Sequence, residues 1–318
     1  MSENSKIEWT DHTFNTHWGC SKIGPGCDGC YAEELARRFG YGWGDETAKR
    51  EFSEGHWQDL IRLDRKAASA GVRHRVFTNS MSDLFDKFAP AGVRERHWRY
   101  VALTPNLDHL LSTKRIGNVA RMVPSAWLEP GGWPANVWLG ATVVNQEEAD
   151  RDISKLLAIP AAKHFLSMEP LLGPVSLRWL AAWPWNAPST ALNPAGVTNH
   201  LDGLRRLDWV IAGGESGRRA RPMHPDWARA LRDECAEAGV PFLFKQWGEW
   251  APGENAPGPQ SRTEQVAWRT FGDTWEYGSL TPKGSEGMHV DDAPAVWRVG
   301  KKAAGRLLDG ITHDGFPS

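Results

Sequence analysis

With 318 residues, 41% of them apolar, the chain can fill one large core or two smaller ones. Its 37 basic and 39 acidic side chains leave a formal net charge of −2, which gives no global attraction to nucleic acid or to an anionic membrane. No apolar run reaches the length of a bilayer span and the first ten residues hold no apolar signal core, so a cytoplasmic protein without a membrane partner is expected.

After a polar start, residues 13–17 are short enough for a first strand that delivers the chain into HWGCSKIGPGCDGCYA. Residues 31–38 then read as a helix with Ala32, Leu35, Ala36 and Phe39 on one side. Residues 40–56 form a glycine-rich excursion, and a second helix runs over 57–70 until Gly71 stops it. From there a rhythm sets in. Short apolar runs recur at 76–77, 110–111, 137–139, 164–166, 209–211 and 242–244, spaced at roughly the thirty residues of a βα unit. Segments 93–103, 116–123, 146–158 and 226–238 supply the helices between them.

About seven βα units imply an α/β fold with a parallel sheet closed or nearly closed on itself, a partial TIM-like barrel. A doubly wound open sheet is the competing architecture. The stretch WLAAWPWNAPSTALNPAG (179–196) reads as an insertion over one rim, and APGENAPGPQSR (251–262) as a turn-rich connector. A hairpin over 266–277 and a short final helix over 299–308 follow. The expected division is therefore a barrel with the cysteine loop over 1–250 and a C-terminal extension over 251–318.

Barrel enzymes carry their working groups just past the carboxyl ends of the strands. Reading past each apolar run collects Asn79, Ser80 and Asp83; Thr113, Lys114 and Arg115; Thr142; Ser167 and Glu169; Gly213, Gly214, Glu215 and Ser216; and Lys245 and Gln246. Gly213 and Gly214 let backbone amides approach a ligand, and Glu215 can accept from an ammonium or a ribose. Asn79 and Ser80 join them as cofactor-binding candidates. Glu169, extended by the Pro170 that follows it, Lys114 and Lys245 are the catalytic candidates. Cys235 shares a helical stripe with Trp227, Leu231 and Ala238 and belongs to a core. The eighteen tryptophans are read as structural wedges, with base-stacking platforms as the alternative.

Three of the four cysteines, Cys20, Cys27 and Cys30, crowd into eleven residues rich in glycine, which suits reduced thiols acting as ligands rather than a disulfide framework. Two occupants fit. Three thiolates on a 4Fe–4S cluster leave one iron open to chelation by the amino and carboxylate groups of S-adenosylmethionine. With His17 as a fourth ligand, the same loop makes a His-x-x-Cys pair before a Cys-x-x-Cys pair and closes on a structural zinc.

The ordered set HWGCSKIGPGCDGCYA, FTNSMSDLF, LSTKR, WLGATV, LSMEPLLG, DWVIAGGESG, PFLFKQWGEW and VGKKAAGRLLDG spans nearly the whole chain. It resembles a family of phage and bacterial proteins known by their three-cysteine motif, mostly of unknown function and similar to radical S-adenosylmethionine enzymes. The resemblance implies a cluster on Cys20, Cys27 and Cys30, S-adenosylmethionine as the molecule it cleaves reductively, and an electron donor such as flavodoxin or ferredoxin. The substrate is unnamed, with a nucleic acid or nucleobase among the candidates; basic clusters at 73–75, 94–99 and 218–221 are where a nucleic acid would be met. The alternative is a zinc-stabilised, non-catalytic nucleic-acid adaptor. The chain departs from the common radical pattern in its six-residue first gap and in having Gly29 before Cys30 and Tyr31 after it. The cysteines therefore carry over, whereas the adenine-side contact does not, and Gly213–Glu215 follows too late a strand to be equated with the early Gly-Gly-Glu of those enzymes.

Overall fold

The computed structural model describes residues 3–196, 198–255, 264–270, 274–281, 284–286 and 295–318. The barrel strand β1 (His12–Phe14) leads into a small ribbon, β2 (His17–Trp18) with β3 (Arg50–Glu51), that brackets helix α1 (Tyr31–Arg38). Helix α2 (Glu54–Ala70) ends at Gly71, whose positive φ of 66° is what a glycine supplies at a helix terminus. Strand and helix then alternate through β4 (His74–Thr78), α3 (Val93–Leu103), β5 (Leu107–Thr113), α4 (Val119–Met122) and β6 (Val137–Thr142). They continue through α5 (Gln146–Leu157), β7 (His164–Met168), β8 (Trp209–Gly213), α6 (Pro225–Ala238) and β9 (Phe242–Gln246).

The seven strands form one parallel sheet in the order β1-β4-β5-β6-β7-β8-β9. Six of them fall on the predicted apolar runs and β1 overlaps the expected first strand at 13–17, and the sequential order excludes a doubly wound sheet. A closed barrel is not formed, because β1 and β9 are not paired with each other; the sheet is a seven-stranded half-barrel. The β9 edge is instead met by the end of the chain: Phe244 N–H donates to His313 O and Gly315 N–H to Phe242 O, both at 3.0 Å.

Side-chain alternation sets what lies on each face. Leu111, Leu139, Leu166, Val210 and Phe244 point outward into the main core under the helices. Leu110, Trp138, Phe165, Trp209, Ile211 and Leu243 point inward and meet Trp9, Phe77 and Phe316 in an apolar plug. Gly140 belongs to this inner face, where a Cβ would lie 2.4 Å from the Phe165 ring. Two residues further along, the inward positions turn polar: Ser112, Thr142, Ser167 and Lys245 form the wall above that plug.

Residues 169–208 differ from expectation. They are not surface chain throughout: Leu171, Val175, Leu177, Leu180, Leu201 and Leu204 enter the main outer core beside Ile153 of α5 and Leu231 of α6, while Trp179 and Trp185 of the predicted insertion stay exposed. Prolines at 174, 184, 188 and 194 forbid a helix there, so the stretch fills a crossover helix's place as irregular chain pinned by Leu177 N–H and Ser176 Oγ to Glu234. A second sheet follows, ordered β10 (Trp250–Ala251), β14 (Val296–Arg298), β11 (Glu264–Arg269), β12 (Trp275–Thr281) and β13 (Gly284–Glu286). It contains the expected hairpin as β11 and β12. Most of the predicted connector, 256–262, lies outside the described residues. The final helix, α7 (Lys301–Ala304), is shorter than predicted, since Gly305 adopts φ 64°, ψ −153° and breaks it. No helix of the described residues is long and apolar enough to cross a membrane.

Candidate functional site

A cavity of about 420 Å³ opens at the carboxyl ends of the strands. Its floor is the apolar plug, through Ile7, Trp9 and Phe77, and its wall carries Ser112, Thr142, Ser167, Glu169 and Lys245. Cys20, Cys27 and Cys30 all line it, and none forms a disulfide.

Glycines press the cysteine loop against its neighbours. A Cβ on Gly29 would sit 2.3 Å from Glu215 Oε1, and one on Gly26 would meet Val144 at 2.8 Å and Lys114 at 3.2 Å. Around the sulfurs the chain supplies donors. Arg115 Nη1 donates to Cys20 Sγ at 3.6 Å, and the backbone amides of Glu33 and Ala32 reach Cys30. Burial still dominates. It pushes the Cys20 thiol up to about 12, helped by Asp83 and opposed by Arg115, and it raises the Cys30 thiol against those amides and Lys114. Without a compensating positive centre these sulfurs stay protonated.

Two arginines fix the loop. Arg115 pairs with Asp83 at 3.0 Å and Asp86 at 3.6 Å, in surroundings almost closed to solvent, and gives its other nitrogen to Ser21 O at 2.7 Å. Arg221 grips both oxygens of Glu215, at 2.7 and 2.9 Å, adds its own backbone N–H at 2.8 Å, and reaches across to Pro25 O at 2.8 Å. Glu215 therefore lines the cavity with its carboxylate already engaged.

Among the expected cofactor contacts, Asn79 and Ser80 line the cavity, but their side chains brace the chain after β1. Asn79 Oδ1 accepts from Thr16 N–H at 2.8 Å, and Ser80 Oγ bonds Asn15 at 3.2 Å. Gly214 faces the cavity, where a side chain would strike Trp247 O at 1.9 Å; Gly213 is not among the lining residues. The expected catalytic groups converge. Lys245 Nζ pairs with Glu169 Oε1 at 3.0 Å, and Ser167 Oγ donates to Glu169 Oε2 at 3.2 Å. Burial pulls the Lys245 ammonium down, but the Glu169 carboxylate outweighs it and holds the pKa above the ordinary lysine value. Lys114 lines the same wall and forms no ion pair with a described residue.

Gln246, collected from the sequence, lines the cavity with a buried Oε1 that has no partner. Sequence reasoning missed two lining groups: Tyr31 donates its hydroxyl to Ser80 O at 2.7 Å, and Lys301 arrives from α7. Cys235 is buried in the outer core, as read from its helical stripe. Four tryptophans, Trp9, Trp57, Trp209 and Trp247, are wholly buried.

His17 is buried beside Thr16 Oγ1 at 2.9 Å and is not a lining residue, and among the described residues neither the three loop cysteines nor any other three His, Cys, Asp or Glu side chains are grouped to hold a single metal ion. The basic clusters divide as well. Arg73 pairs with Asp108, Arg75 with Asp11, Arg96 with Glu54 and Arg221 with Glu215, leaving Arg99, Arg218 and Arg219 exposed and without an ion pair to a described residue.

No curated protein matches the chain. Among solved structures, a spore photoproduct lyase carrying a cysteine-to-serine substitution is similar over 75% of each chain, at 10% identity and a TM-score of 0.44. The model of a family described as a protein of unknown function, DUF5131, matches residues 4–317, and the chain belongs to that family.

Proposed function

We propose that the protein is a radical S-adenosylmethionine-type enzyme in which Cys20, Cys27 and Cys30 hold a 4Fe–4S cluster. One observation carries the reading: three free thiols from a single short loop face the same cavity as the polar ends of the strands. A single zinc with Zn–S bonds near 2.3 Å needs its sulfurs within roughly 4 Å of one another. A cubane held by three thiolates needs no fourth protein ligand and leaves one iron open to S-adenosylmethionine, which suits a loop that brings three cysteines and no histidine to the cavity. When bound, the cluster supplies the electron for reductive cleavage of S-adenosylmethionine, replenished by a donor such as flavodoxin or ferredoxin.

The chain's own residues then have distinct tasks. Arg115 and the amides of Glu33 and Ala32 aim positive dipoles at Cys20 and Cys30 and favour their thiolates. Gln246 Oε1, buried without a partner, and Glu169, whose Oε1 is held by Lys245, are acceptors for the ammonium or hydroxyl groups of a ligand. Lys245 remains protonated at neutral pH as the counter-ion of Glu169, and Lys114 is free to take a carboxylate. Gly214 presents backbone, while Asn79, Ser80, Gly213 and Glu215 act by holding the loops in register. The plug below keeps water from the reacting end.

Purification without oxygen, followed by iron, sulfide and zinc analysis, tests this. About four irons and four sulfides per chain are expected, lost on Cys27→Ala, with deoxyadenosine formed under reduction. One zinc and no acid-labile sulfide refutes it.

A further inference from the structure

Five cationic side chains without an ion pair to a described residue lie on one side of the cavity mouth. Arg218 and Arg219, on the loop after β8, are exposed, and Arg298 of β14 joins them by donating to Arg218 O at 2.5 Å. Lys301 and Lys302 of α7 continue the ridge, and Lys301 lines the cavity itself. None of the five pairs with a carboxylate of the described residues. Glu249 Oε1 accepts from Gly217 N–H at 3.1 Å, and the Glu34 carboxylate approaches the same turn. Inside the cavity Lys6 and Lys114 are likewise unpaired, so cations run from the outer surface across the rim to the interior. Beside the ridge stands an aromatic step. Tyr277 is 57% exposed, 5.8 Å from the Trp250 ring, and the Arg298 guanidinium lies over Trp250 at 5.7 Å.

Other exposed arginines without an ion pair to a described residue, such as Arg65 and Arg99, are not continuous with the cavity lining, whereas this group reaches it through Lys301. An acidic globular protein could meet the outer cations but could not follow them into the cavity. A flexible chain of phosphates can do both, and its bases can stack on an exposed tyrosine.

We infer that this ridge binds the backbone of a single-stranded nucleic acid and that one nucleotide of it enters the cavity as the substrate. The binding stands on the ridge alone; only the fate of the inserted nucleotide rests on the reading above.

Anisotropy titrations of labelled RNA and DNA oligonucleotides of one sequence, on iron-free and iron-loaded protein, test it. Five phosphate contacts give a salt slope of about −3.5, so affinity falls roughly 100-fold between 50 and 200 mM salt. Arg218→Gln with Arg219→Gln lowers the slope by about 1.4 and the fall to roughly 20-fold, while the distant exposed pair Arg65→Gln with Arg205→Gln leaves it unchanged. Tyr277→Ala weakens binding about fivefold or more at every salt concentration. Tight binding of either strand, sensitive to the ridge, supports the inference, and the tighter strand names the source. Binding absent at 50 mM salt, a slope that the ridge variant does not alter, or a ridge variant that loses an acidic flavodoxin while keeping the oligonucleotide overturns it. Iron-free protein that binds but never assembles a cluster would refute the proposed chemistry and leave the ridge standing.

Discussion

Replacing Arg115 by methionine removes the one cation that faces two nearly inaccessible carboxylates. Asp83 retains Thr113 Oγ1 at 2.8 Å and the backbone amides of Phe85 and Lys114, so it stays partly solvated by the protein. Asp86 fares worse: its Oδ2 has no hydrogen bond, and the Arg115 guanidinium at 3.6 Å is its ion-pair partner. Breaking a buried pair from one side costs about 3–5 kcal/mol, because the remaining charge is stranded. Unfolding entropy of about 2.1 cal/mol/K per residue amounts to ~0.7 kcal/mol/K for a chain this long, so Tm should fall by about 4–7 °C. Thermal melts of the iron-free protein measure this directly. Arg115→Lys should recover part of the loss, since one ammonium cannot serve both aspartates and Ser21 O together. Adding Asp86→Asn to Arg115→Met should restore at least about 1 kcal/mol by removing the stranded charge. In the loaded protein both Arg115 variants should release iron to a chelator faster, through the lost donor to Cys20. A methionine variant melting within about 1 °C of the parent, or a double variant that is merely additive, would show that this network does not hold the loop.

Gly29→Ala should lower both iron content and Tm, the latter by about 1–3 kcal/mol of overpacking, because the Glu215 carboxylate it strikes is fixed by three bonds from Arg221. Gly26→Ala should be milder, since the atoms it meets are the ends of Val144 and Lys114 side chains. Glu169→Gln removes what keeps the cavity-lining Lys245 protonated. Burial then dominates, the amine's pKa falls, and its acylation at pH 7.5, read by mass spectrometry, should rise several-fold. Acid should destabilise the protein through His97 and His109, which burial holds well below the ordinary value and down to about 3 respectively. The unfolded chain takes up their protons first, so urea midpoints should drop as pH falls below 6.5 and continue to drop towards 3. His97→Leu, replacing a ring with neither nitrogen bonded, should flatten that limb without lowering stability at pH 7.

Each barrel strand was readable because a strand buried on both faces is a continuous apolar run, and the runs at 76–77 through 242–244 mark all six later strands. Helices α1 and α3 fall on their predicted bounds for a similar reason, a sharp change to glycine or polar residues at each end. The rim was readable too, as the polar positions two residues beyond the inward apolar ones. What lay hidden depends on partners far apart in the chain. Glu215 looks like a ligand contact until Arg221 and Gly29 are seen against it, and Asn79 until Thr16 is. Arg115 meets Cys20 across 95 positions, and no local pattern announces that. The 169–208 segment defied the βα rhythm because proline removes the helix while leaving its leucines to fill the same space.

The inward rows of the half-barrel have one more implication. On β5, β7 and β9 the residue that packs the plug and the residue that faces the cavity are separate letters of the sequence, two apart: Leu110 and Ser112, Phe165 and Ser167, Leu243 and Lys245. Binding preference and thermostability are thus written at different positions, so relatives built on this scaffold can diversify at 112, 142, 167 and 245 while their foundations stay untouched. A library randomised at those four places should yield mostly folded clones with altered ligand choice.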